Sequence, residues 1–133
     1  MSIDDQEPRQ PADGTRPAPD MHTDLTIGSR IAADRTILTV EGELDLYTAP
    51  MLRDRVLATF DDTGGHLIVD LTGVPFMDSS GLGMIVSCLK HVRESGGDLA
   101  LVTRPASAPT KLLALTGLDR AIPTFATVDD ALA

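Results

Sequence analysis

The chain has 133 residues, which suits one domain of about 100–150 residues, and 42% of them are apolar, enough to form a core. Its formal net charge of −9 disfavours direct binding to nucleic acids or to anionic membranes, because both need clustered Lys and Arg. Aromatic residues make up only 3%, which argues against a platform for stacking bases, and the single cysteine, Cys88, is expected to be a buried structural thiol.

Residues 1–24 differ in composition from the rest of the chain. They hold four of the nine prolines, several acidic residues and almost no apolar ones, so burial cannot offset the entropy lost on ordering. We therefore predict a disordered tail over residues 1–24 and one domain over residues 25–133. The sequence shows neither a secretory signal nor a run of about 18 apolar residues that could span a membrane, so we expect a cytoplasmic protein.

Alternating or continuous apolar stretches predict five strands within the domain. The third is apolar almost throughout, which is typical of a strand in the middle of a covered sheet. Pro123 would confine the last strand to an edge or a bulge. The predicted strands cover residues 25–31, 37–40, 66–71, 99–102 and 122–125, with a turn near Asp34-Arg35.

Apolar residues at helical spacing predict four helices between and after these strands. The resulting order, β-β-α-β-α-β-α-β-α, indicates an α/β domain with a mixed β-sheet and amphipathic helices packed on it. The capping signals lie at Thr48, at Asp78-Ser79-Ser80, at Ser107 and at Thr127, and glycines at 64–65, 96–97 and 117 end the first three helices.

The most informative segment is Phe76-Met-Asp-Ser-Ser-Gly-Leu-Gly83, between the third strand and the second helix. Free N–H groups at a helix start attract anions, so a phosphate on Ser79 would find a favourable position there. The same residues also suit an ordinary helix start, in which Ser79 or Ser80 can be the capping residue. Asp45 and Asp78 have an alternative interpretation as turn and cap residues. Because Gly81 and Gly83 are poor helix formers, they indicate close approach by another backbone or by a partner.

This segment resembles the signature of the STAS domain in bacterial anti-sigma factor antagonists, where Met-Asp-Ser-Ser/Thr-Gly-Leu-Gly follows a strand and opens an apolar helix. Two further segments match in order and spacing: Gly42–Asp45 with Thr48-Ala49 after it, and Leu112–Leu118. The resemblance covers roughly residues 25–132 and implies the STAS-like fold. It departs from the family at Pro123, and the first 24 residues have no counterpart.

The resemblance implies a partner switch that regulates transcription. The unphosphorylated protein would bind an anti-sigma factor, which is an ATP-binding serine kinase, and so release a sigma factor. The kinase would phosphorylate Ser79 and end the binding by like-charge repulsion, and a serine phosphatase would reverse the change. The protein would be neither an enzyme nor a cofactor carrier. The implied partner-binding residues are Asp45, Leu46, Tyr47, Thr48, Asp78, Ser80, Gly81 and Leu82.

Two other functions stay open. In a serine hydrolase Ser79 would be the nucleophile, but the G-x-S-x-G pattern is absent and the three histidines, His22, His66 and His91, have no obvious route to Ser79. As a constitutive scaffold in a signalling assembly, a STAS-like domain would leave Ser79 unmodified. The sequence holds no phosphate-binding loop of the nucleotide hydrolases and no cluster with metal-ligand spacing, so we expect no bound metal.

Overall fold

The computed structural model describes residues 25–133, and the predicted disordered tail, residues 1–24, lies outside the described residues. In the described part, five strands form one sheet in the order β1-β2-β3-β4-β5, with β1 antiparallel to β2 and every other neighbouring pair parallel. The mixed sheet is therefore confirmed. The strands are β1 (Thr26–Ala32), β2 (Arg35–Glu41), β3 (His66–Gly73), β4 (Asp98–Val102) and β5 (Thr124–Phe125).

The helices occur where the apolar spacing predicts them, and the order of strands and α-helices is the expected one. A short 3-10 helix, Leu118–Arg120, is the one regular element between residues 25 and 133 that the sequence did not predict. None of the helices described is both long and apolar enough to cross a bilayer. The α-helices are α1 (Ala49–Thr63), α2 (Ser79–Glu94), α3 (Ala108–Thr116) and α4 (Val128–Leu132).

The two faces of the sheet are covered unequally. Successive side chains of a strand point to opposite faces, so Leu67 and Val69 of β3 join the large apolar cluster with α1, α2 and α3. Ile68, between them, joins a smaller cluster with Ala131 of α4 on the other face. Because both faces are covered, β3 needs an apolar residue at almost every position, as its sequence indicates.

Turn and capping residues account for most of the element boundaries. Ser107 accepts a hydrogen bond from the Thr110 N–H (3.4 Å), and Thr127 accepts one from the Asp130 N–H (3.0 Å), so both are the N-caps that the sequence predicts. The β1–β2 turn lies at Ala33-Asp34, one residue earlier than expected. Both turn residues have positive φ angles, 51° and 64°, which matches the strand twist in a two-residue hairpin.

Two further sequence expectations hold. β5 is a two-residue strand at the edge of the sheet, and Pro123 lies just before it, where its carbonyl oxygen accepts a hydrogen bond from the Leu101 N–H (2.9 Å).

Cys88 is buried in α2 with its sulfur 3.8 Å from that of Met84. Burial raises the pKa of the Cys88 thiol to about 11, so it stays protonated and unreactive at neutral pH.

Two leucines of α3 provide a test of this packing. Leu113 is completely buried, whereas Leu115 is 84% exposed on the same helix. We expect Leu113→Ala to lower the free energy of unfolding by about 3 kcal/mol, since it leaves a cavity in the core. Leu115→Ala should change it by no more than about 0.5 kcal/mol. Urea unfolding followed by circular dichroism measures both, and equal losses would contradict this placement of α3.

Candidate functional site

The predicted site lies at the carboxyl ends of β2 and β3, where the β2–α1 loop and the β3–α2 loop leave the sheet side by side. An isolated parallel bridge between Leu44 and Met77 joins the two loops. The Leu44 N–H donates to the Phe76 carbonyl oxygen (2.9 Å), and the Asp78 N–H donates to the Leu44 carbonyl oxygen (3.2 Å). The first loop is thereby held against the start of α2.

Asp45 gives the β2–α1 loop its shape. Its buried carboxylate oxygen Oδ1 accepts hydrogen bonds from the N–H groups of Tyr47 (2.9 Å) and Thr48 (3.0 Å). The Thr48 hydroxyl in turn accepts from the Asp45 N–H (2.9 Å) and donates to the Glu43 carbonyl oxygen (2.8 Å). Leu46 and Tyr47 project from the tip of this turn, each 65% exposed.

These bonds correct one expectation for the start of α1. Thr48 occupies the N-cap position of that helix, but its side chain makes no capping hydrogen bond. The reason is that its hydroxyl is already engaged within the loop, by Asp45 and Glu43. Pro50 occupies the first turn, where the N–H that it lacks is not needed.

Asp78, and neither Ser79 nor Ser80, caps α2. Its carboxylate oxygen Oδ1 accepts hydrogen bonds from the N–H groups of Ser80 (2.9 Å) and Gly81 (3.2 Å), which corrects the expected cap at Ser79 or Ser80 and confirms the alternative interpretation of Asp78 as a cap residue. Its extended backbone, with φ −104° and ψ −172°, turns the short side chain back over the first turn. Ser79 is consequently the first helical residue. It is exposed, and its hydroxyl makes no hydrogen bond to any residue from 25 to 133.

The two glycines of the motif have different surroundings. A Cβ atom on Gly81 would lie 2.9 Å from the Met77 side chain and 3.1 Å from the Leu44 carbonyl oxygen. Gly81 therefore lets α2 approach the bridged loops closely, which confirms the predicted close approach by another backbone. A Cβ atom on Gly83 would meet nothing within 4 Å among the residues described, so Gly83 is not required for packing there.

Two apolar side chains of these segments, Phe76 and Met51, are exposed although neither is among the predicted partner-binding residues. Phe76 precedes the motif directly, but a loop residue has no periodicity from which its exposure could be predicted. A shallow groove of about 290 Å³ lies between α1 and α2. Its lining is Leu46, Ala49, Pro50, Arg53, Ser80, Met84 and Ser87.

The structure brings all the predicted site residues together in the two loops and the first turn of α2. Burial divides them into two groups. The residues that offer atoms to the surface are Leu46, Tyr47, Asp78, Ser79 and Ser80, whereas Asp45, Thr48, Gly81 and Leu82 are buried and hold that surface in shape.

The histidines that the structure describes are far from Ser79. His66 begins β3, seven strand residues or roughly 23 Å from its end. His91 lies 12 residues along α2, about 18 Å from its start. Neither can act as the base of a serine nucleophile, and His22 lies outside the described residues. Between residues 25 and 133 no group of three or more His, Cys, Asp or Glu side chains could hold a metal ion.

Residues 24–131 match the STAS domain. The chain is similar to an anti-sigma-F factor antagonist from Mycobacterium tuberculosis, at 31% identity over 72% of this chain and 77% of that protein. It is also similar to the anti-sigma-B factor antagonist of Bacillus subtilis, at 41% identity over 48% of this chain and 58% of that protein, less than two thirds of its length.

A solved structure supports the same grouping. The crystal structure of an anti-sigma factor antagonist from Mycobacterium paratuberculosis superposes with a TM-score of 0.75 at 32% identity. The superposition covers 86% of this chain and 94% of that one, so the whole α/β architecture is shared.

Gly81 and Gly83 form a matched pair for testing the packing of the site. We expect Gly81→Ala to lower the free energy of unfolding by about 2 kcal/mol, because the new methyl group meets the Leu44 backbone. Gly83→Ala should raise it by about 1 kcal/mol, since alanine is the better helix former and open space surrounds the position. Chemical denaturation checks both variants, and changes of the same sign would refute the close approach at Gly81.

Proposed function

The chain belongs to the STAS domain family, and from this premise we propose that it is an anti-sigma factor antagonist of the partner-switching type. In its unphosphorylated form it binds an anti-sigma factor that is an ATP-binding serine kinase, and so releases a sigma factor in the cytoplasm. Phosphorylation of Ser79 by that kinase ends the binding, and a serine phosphatase restores it. The domain itself contributes no catalytic group and no cofactor.

The exposure of Ser79 is the observation that carries this proposal. Its hydroxyl makes no hydrogen bond to the described residues and stands at the start of a helix, so a kinase can reach it without unfolding the domain. Leu46, Tyr47 and Phe76 expose apolar surface in the adjoining loops. Apolar side chains grouped on a polar surface are typical of a protein interface, so one partner can cover both Ser79 and this surface.

Charge supplies the switching step. A phosphoserine carries about −1.5 to −2 charges near neutral pH. In the docked complex the Ser79 hydroxyl is shielded from water, so a phosphate there would be desolvated without a partner for its charge, which is costly. Because the side chain of Ser79 lies on the surface and not in the core, the phosphate requires no repacking of the domain.

Phosphorylation at a single serine is the direct test. We expect incubation with the cognate kinase and ATP to add one phosphate, seen by intact mass, to the wild-type chain and to Ser80→Ala. Ser79→Ala should gain none, since it lacks the acceptor hydroxyl. An unmodified wild-type chain that still binds its partner would instead favour a constitutive scaffold.

The apolar tip of the β2–α1 loop is expected to contribute binding energy. Leu46→Ala and Tyr47→Ala should each weaken binding to the anti-sigma factor roughly tenfold or more, because both side chains are exposed on the loop that is bridged to the start of α2. Leu115→Ala is the matched control, since this leucine is also exposed but lies on α3. Calorimetric titration measures the three affinities. An effect of Leu115→Ala as large as that of Leu46→Ala would place the interface elsewhere.

A further inference from the structure

Two of the amides that a phosphate on Ser79 would attract are already occupied. The N–H groups of Ser80 and Gly81 both donate to the Asp78 carboxylate, at 2.9 Å and 3.2 Å, and the Leu82 N–H donates to the Asp78 carbonyl oxygen at 3.1 Å. A helix start is a favourable anion site only while its first amides are free. At α2, an anionic side chain of the protein itself already holds the second and third of these amides.

We propose that Asp78 is a positioning residue for the switch, because its carboxylate excludes a phosphate on Ser79 from the start of α2 and directs it outward. This inference rests on the proposed phosphorylation of Ser79. Two effects act together: the carboxylate holds both amides, and it repels a second anion on the neighbouring residue. The phosphate then stands on the surface that Leu46 and Tyr47 share.

The outward position of the phosphate determines how strongly its charge repels a partner. If the amides of Ser80 and Gly81 were free, the phosphate would fold back onto them, and the helix dipole would compensate part of its charge. Because the phosphate is held away from these amides, its charge stays exposed to a partner that binds at Ser79. Asp78 therefore acts through the phosphate, and its own half-buried side chain need not touch the partner.

The test uses the full chain with phosphoserine placed at position 79 by genetic code expansion, so that no kinase is needed. Nuclear magnetic resonance follows the amide signals of Ser80 and Gly81 in the wild type, in Asp78→Ala and in Asp78→Asn. In the wild type we expect small shifts and no scalar coupling between these amides and phosphorus. In Asp78→Ala we expect a strong downfield shift with such coupling. Asp78→Asn keeps a capping oxygen for both amides but loses the charge, so coupling should be weaker there than in Asp78→Ala and stronger than in the wild type.

Thermal unfolding provides an independent readout. Asp78→Ala should lower the melting temperature by about 4 °C or more through the lost cap, and phosphoserine at position 79 should recover most of that loss. In the wild type, phosphoserine should shift the melting temperature much less. Ser107→Ala is the matched control: it removes the cap of α3, so its loss should not be recovered by phosphoserine at position 79.

Coupling of the wild-type Ser80 or Gly81 amide to phosphorus would overturn the inference, and so would a phosphoserine that fails to stabilise Asp78→Ala. Failure of the proposed function gives a different result. A chain that no kinase modifies at Ser79, or that binds no anti-sigma factor, would leave the resonance and melting results unchanged, because phosphoserine is introduced there during synthesis.

Discussion

The site depends on a backbone bridge just beyond the ends of two parallel strands. Leu44 and Met77 continue the pairing of β2 and β3 after the strands themselves have ended. The bridge fixes the β2–α1 loop against the first turn of α2, and the absence of a side chain at Gly81 lets the two approach closely. The β2–α1 loop, which we propose to carry partner contacts, and the helix that carries Ser79 are thus joined into one surface. Without the bridge they would be separate loops, each free to move.

At this surface the buried polar groups hold the backbone in place, whereas the exposed Ser79 hydroxyl does not. Asp45 and Thr48 satisfy one another and the loop backbone, as buried polar groups must, and Asp78 satisfies two amides of α2. The Ser79 hydroxyl alone among these groups makes no hydrogen bond to residues 25–133. A chemical change at Ser79 can therefore alter the charge of the surface while the supporting hydrogen bonds stay intact. This separation suits a switch that acts by charge and not by refolding.

Much of the fold could be predicted from local patterns. The alternation of apolar strands and amphipathic helices determines the element order, and the caps Ser107 and Thr127 and the terminating Gly117 are where the sequence places them. Local patterns could not predict the helix caps where several groups compete for the same hydrogen bonds. Thr48 had a loop carbonyl and a loop amide available besides the helix start, and Asp78-Ser79-Ser80 offered three capping groups in a row. The backbone dihedral angles at Thr48 and Asp78 determined which of these hydrogen bonds form.

The sequence by itself determined which residues meet at the site, because the carboxyl ends of neighbouring parallel strands bring their loops together. It also determined that Ser79 lies at a helix start, since glycine and serine precede an apolar helical run. Only the tertiary structure decided which of these residues face solvent. Burial of Asp45, Thr48, Gly81 and Leu82 and exposure of Phe76 depend on contacts between segments distant in sequence, which no local period encodes.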